Sequence, residues 1–86
     1  MGDVSERIAE FIRDDLLLGD QSRVPNPTDS LLETGVIDST GILELIEFLE
    51  EEFDVHVEDS ETIPENLDGI DRIAAYVQRK KSAEVQ

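Results

Sequence analysis

The chain has no cysteine and no tryptophan, and only one tyrosine, one methionine and one histidine among its 86 residues. Without cysteine there is neither a disulfide framework nor a thiolate metal site, an absence that fits a reducing compartment. With a single histidine, no Cys-His or His-His pair is available for nucleophilic or metal chemistry. No apolar run approaches the roughly 20 residues that span a bilayer, and Met1-Gly2-Asp3 opens a polar segment unlike a secretory signal, so the expected setting is cytoplasmic. Basic residues are scarce as well: seven Lys and Arg face 22 Asp and Glu, a formal net charge of −15. The seven are Arg7, Arg13, Arg23, Arg72, Arg79, Lys80 and Lys81, so residues 24–71 hold no base and 15 acids, which accounts for the whole net charge. Such a field repels nucleic acid and anionic membranes and steers partners with basic patches toward the middle of the chain.

A chain this short makes one small domain with no room for a deep catalytic cleft. Apolar residues recur at helical spacing. Val4, Ile8, Phe11, Ile12 and Leu16 predict a first helix from Asp3 to Leu18, stopped by Gly19. From Asp20 to Ile37, Pro25 and Pro27 among Asp, Ser and Asn predict a long loop, with Val24, Leu31, Leu32, Val36 and Ile37 as its anchors. A second helix is expected from Ser39 or Thr40 to Phe53. Ile42, Leu45, Ile46, Leu49 and Phe53 form its core stripe, and Thr40, Leu43, Glu44, Glu47, Glu50 and Glu51 its outer face. Asp54-Val55-His56-Val57 alternates like a strand but has no second strand to pair with, so it is read as extended loop. Residues 63–67 form a short third helix with Pro64 in its first turn. The last helix starts near Asp68 or Gly69, buries Ile70, Ile73, Ala74 and Val77, and ends with the cations Arg79, Lys80 and Lys81. The expectation is an all-α bundle of three main helices plus a short one, with a single domain over residues 1–81 and a frayed tail over 82–86.

Candidate chemistry is sparse. His56 reads as a surface or packing residue, and the acidic run from Asp54 to Glu65 has Asp59 where a calcium loop turns on glycine, so no metal site is expected. Asp38-Ser39 stands just before the most strongly helical stretch. Either side chain can cap that helix by accepting from its first-turn N–H groups. The helix N-terminus also favours a phosphodiester built on the serine, since it offers free donors and partial positive charge.

At this point the chain resembles the acyl carrier proteins and their peptidyl and aminoacyl carrier relatives. The resemblance covers nearly everything from the first helix to the fourth: Asp29-Ser30-Leu31-Leu32-Glu33 leading to Gly35, then Asp38-Ser39, Glu44-Leu45, Leu49-Glu50-Glu51-Glu52-Phe53, and a closing helix with Ile73 and Tyr76-Val77. It implies that Ser39 receives a 4′-phosphopantetheine arm from coenzyme A through a phosphopantetheinyl transferase, with Asp38 as the adjacent motif acid. It further implies that the arm carries an acyl or aminoacyl group as a thioester, and that Thr40, Leu43, Glu44, Glu47, Glu50 and Glu51 face partner enzymes. Those partners are the transferase, an acyl- or aminoacyl-activating ligase and downstream acyl-transfer enzymes with basic patches. The chain itself would be a monomer and perform no catalysis. Ser30, within Asp29-Ser30-Leu31, matches the family triplet more literally, yet Gly35 follows it where a long helix should. Thr40-Gly41 departs from fatty-acid carriers and is similar to D-alanyl and other stand-alone aminoacyl carriers. The competing expectation is an acidic helical interaction module in which Ser39 is only a helix N-cap.

Overall fold

The computed structural model describes the backbone of residues 3–85 and the side chains of residues 4–82. Helix α1 spans Asp3–Phe11, α2 Ser39–Phe53, α3 Pro64–Leu67 and α4 Ile70–Val85, with no strand among the described residues. The all-α bundle of three main helices and one short one is therefore the observed fold. No helix among the described residues is long and apolar enough to cross a membrane.

The first helix departs from its predicted course. After Phe11 the backbone widens into a π turn over Ile12–Leu16, closed by the Leu17 N–H donating to the Ile12 carbonyl at 2.9 Å. The cause is Asp15. Continued at α spacing from Phe11 and Ile12, the core stripe would fall on this aspartate, and burying an unpaired carboxylate is prohibitive. Widening the turn by one residue leaves Asp15 exposed and buries Leu17 beside Ile8, Phe11 and Ile12. Leu16, predicted as part of the stripe, is only half-buried. Leu18 and Gly19 then adopt left-handed φ angles of 55° and 89°, which stops the helix; for leucine that conformation costs about 1–2 kcal/mol.

The long loop carries a short 3₁₀ turn at Gln21–Arg23, capped by the Asp20 carboxylate. Its second half is pinned by Leu31 and Ile37, both buried, each contributing about 1.5–3 kcal/mol of apolar burial. Val24 and Val36 are half-buried. Leu32, predicted as a fifth anchor, is 46% exposed. The 30–37 segment turns on itself, with the Val36 and Ile37 N–H groups both donating to the Leu31 carbonyl, and of the two leucines it is Leu31 that is buried.

In α2, Leu45 and Leu49 are fully buried, while Ile42, Ile46 and Phe53 are partly so. Phe48 stacks on Phe11 at 4.3 Å between ring centroids and meets Phe53 edge-on at 5.8 Å. Arg7 of α1 bridges to Glu52 and lies over the Phe48 ring, so a ring stack, an ion pair and a cation–π contact join α1 to α2. The helix ends at Asp54 in a left-handed conformation, after which residues 55–58 form a loop, neither helix nor strand, with Val55 and Val57 buried and His56 74% exposed.

Tyr76 was absent from the predicted stripe of α4 but is buried with Ile70, Ile73, Ala74 and Val77. Its hydroxyl donates to Glu61, whose carboxylate also accepts from Lys80 at 2.9 Å and from the Glu58 N–H at 3.0 Å. These contacts tie the 3₁₀ turn Asp59–Glu61 to α4. The Glu58 N–H first, then Lys80 and Tyr76, hold the Glu61 carboxyl down to about 2. Burial, and then the Glu61 contact, push the Tyr76 phenol upward. Helix α4 runs on to Val85, past the expected end at Lys81, so residues 82–85 continue the helix; Gln86, like Met1-Gly2 of the polar opening, lies outside the described residues.

Candidate functional site around Ser39

Ser39 is the first residue of α2, and the residue that caps the helix is Asp38. Asp38 has extended backbone angles, φ −121° and ψ −169°, from which its Oδ1 accepts the Gly41 N–H at 2.8 Å. Its carbonyl meanwhile accepts the first helical bond, from the Ile42 N–H at 2.9 Å. The expectation that Ser39 serves only as the N-cap is thus corrected: the aspartate occupies that role because its side chain reaches the third helical N–H. Ser39 is left exposed, with no hydrogen bond to its hydroxyl among the described residues, and the N–H groups of Ser39 and Thr40 likewise have no protein acceptor. A free hydroxyl beside two free N–H donors at the positive end of a 15-residue helix is well placed to hold an anionic substituent.

Gly41 is buried beneath this turn. A Cβ there would meet Asp38 Oδ1 at 3.4 Å, Ile37 at 3.8 Å and Leu16 at 4.0 Å. These are ordinary contact distances, so the packing at this position does not itself demand glycine.

The competing serine has a different fate. Ser30 is half-buried, donates from Oγ to Asp68 Oδ2 at 2.6 Å and accepts the Glu33 N–H at 3.0 Å. Asp68 Oδ1 also accepts the Leu32 N–H at 2.8 Å. Burial alone would raise the Asp68 carboxyl, but the bonds from Ser30, Leu32 and Leu31 outweigh it and hold the group below the ordinary aspartate range. Ser30 is a structural serine that fastens the loop to the α3–α4 junction, where the Asp71 N–H also donates to the Pro27 carbonyl at 3.1 Å.

That fastening shapes a cavity. Ser39 lies on the rim of an open, mainly apolar cavity of about 360 Å³ lined by Leu32, Ile42, Ile63, Leu67 and Asp68, with Thr62 and Pro64. Leu32 and Ile63 are 46% and 41% exposed, so the cavity presents apolar surface to solvent. Sequence reasoning named Leu32 as an anchor and missed Ile63, Leu67 and Asp68 as neighbours of Ser39. No local pattern marks them, because the long loop and α3 approach α2 only through tertiary packing.

On the outer face of α2, Thr40, Leu43, Glu44, Glu47 and Glu51 are exposed, Leu43 at 63%. Glu50 differs: it is half-buried, accepts the Val57 N–H at 2.9 Å and lies 3.5 Å from His56 Nδ1, so it braces the end of the helix rather than facing outward. Among the described residues no group of three or more His, Cys, Asp or Glu could hold a metal ion. No family model matches the chain, and no curated protein does either.

Proposed function

We propose that the chain is a carrier that holds an acyl or aminoacyl group as a thioester on a 4′-phosphopantetheine arm attached to Ser39. One observation carries this reading: the helix cap belongs to Asp38, so the Ser39 hydroxyl is exposed and uncommitted at the rim of an apolar cavity. Attachment would join the Ser39 oxygen to the phosphorus of coenzyme A, with adenosine bisphosphate leaving and the hydroxyl proton passing to the transferase. The arm, when present, supplies the thiol that forms the thioester. Ser39 and Thr40 offer N–H donors to the phosphodiester, Asp38 fixes the turn that presents it, and Leu32, Ile42, Ile63 and Leu67 give an apolar cargo a surface to lie against. The partner enzymes would supply the chemistry and be drawn by the base-free acidic segment.

Intact mass after incubation with coenzyme A and a broad-specificity phosphopantetheinyl transferase tests the proposal. One covalent addition is expected, lost in Ser39→Ala and kept in Ser30→Ala. No addition to the wild type rejects the carrier reading and leaves an acidic helical interaction module.

A further inference from the structure

The cavity beside Ser39 carries one charge. Of the side chains that line it, Leu32, Ile42, Ile63 and Leu67 are apolar, and only Asp68 is ionisable. Burial opposes its ionisation, but the Ser30 hydroxyl and the Leu32 and Leu31 N–H groups outweigh it, so the carboxyl lies below the ordinary aspartate range and is charged at neutral pH. Those donors do not exhaust it. A carboxylate accepts about four hydrogen bonds, so at least one acceptor position stays open.

It also lacks a counter-charge. Among the described residues no cation forms an ion pair with Asp68, and Arg72, whose field reaches it, donates instead to the Pro64 carbonyl at 3.3 Å. A charged, half-buried carboxylate in apolar walls discriminates between the groups that could enter. A plain alkyl chain would strip water from it and return no hydrogen bond, which is unfavourable. An ammonium supplies the missing charge and a donor. A free α-amino group titrates at about 8, so it is largely a cation at neutral pH. An aminoacyl group carries both parts the cavity matches: the ammonium for Asp68, and an apolar side chain for Leu32, Ile63 and Leu67.

We infer that Asp68 is a specificity-determining residue of this site: resting on the carrier reading above, it receives the ammonium of an aminoacyl cargo on the Ser39 arm and so favours that cargo over a simple acyl group of the same shape.

Because the chain has no cysteine, Ser39→Cys provides a single thiol to which an arm can be coupled through a disulfide without a transferase. Two arms of pantetheine length are compared, one ending in a valyl amide with its amine free, the other in an isovaleryl amide, the same skeleton without the nitrogen. Followed by NMR at near-physiological salt, the valyl amine should titrate about one pH unit higher on the protein than in the free arm. That difference should fall by at least half in Asp68→Asn, and by much less in Glu65→Gln, which removes an exposed charge from the adjacent α3. The valyl arm should also shift the amides of Leu32, Ile63 and Leu67 at least twofold more than the isovaleryl arm, a comparison that needs no change at Asp68. An amine that titrates alike in Asp68→Asn and Glu65→Gln, or equal amide shifts from the two arms, overturns the assignment of Asp68. The carrier reading fails separately, on absence of transferase loading at Ser39, since disulfide coupling does not depend on it.

Discussion

Removing the Asp68 carboxylate should loosen the loop that shapes the cavity beside Ser39. Asp68 accepts from the Ser30 hydroxyl at 2.6 Å and the Leu32 N–H at 2.8 Å, one on each oxygen. Hydrogen bonds to a charged group are worth about 1.5–3 kcal/mol each, and the exposure of Leu32 lets water replace part of the loss, so Asp68→Ala should cost about 3 kcal/mol. Asp68→Asn is milder. Its amide oxygen can keep the Leu32 N–H and its NH₂ can turn to the Ser30 oxygen, so only the charge is lost, at about 1 kcal/mol. With a urea m-value of about 1 kcal/mol/M, the unfolding midpoint followed by circular dichroism should fall by about 3 M for Ala and 1 M for Asn. Ser30→Ala combined with Asp68→Ala should show a coupling of about 1–2 kcal/mol. If Asp68→Ala lies within 0.5 kcal/mol of wild type, or Asn costs as much as Ala, the fastening does not hold the loop as described.

Two further outcomes are expected. Asp38→Ala should cost about 1 kcal/mol in thermal or urea unfolding through loss of the α2 cap, while Ser39→Ala changes stability by less than about 0.5 kcal/mol; the reverse order would return the cap to the serine. Because the folded Glu61 carboxyl sits at about 2 against an ordinary 4.5, its contribution is complete above pH 4.5 and lost as the pH falls toward 2, a loss that Asp68, also lowered, adds to. Urea midpoints taken between pH 6 and 2.5 should therefore decline in wild type and decline less in Glu61→Gln, from a lower plateau; parallel profiles would rule out Glu61 as the source.

Helix count, the 54–57 loop and the Leu45-Leu49 centre of the core were legible because period-3.6 patterning and proline placement report directly on local structure. Ser39 was legible as a position, from its place ahead of α2, but its freedom was not. Whether Asp38 or Ser39 caps depends on backbone angles that the dipeptide does not specify. The neighbours of that serine were hidden for another reason: Leu32, Ile63, Leu67 and Asp68 come from segments that meet α2 only on folding. Glu50 looked like the other outward glutamates of α2, and only the path of the chain after Phe53, which returns Val57 to its carboxylate, distinguishes it.

The π turn also separates the length of the first helix from the filling of the core. A chain shorter by Asp15 would bring Leu16 to the α-spaced position beneath Phe11 and Ile12, so a regular helix could satisfy the same interior. The longer form keeps a leucine inside too, but uses Leu17, and leaves Asp15 and Leu18 outside. On this reading the interior would accept both lengths, and what the extra residue of the π turn changes is the surface: one added carboxylate and one displaced leucine.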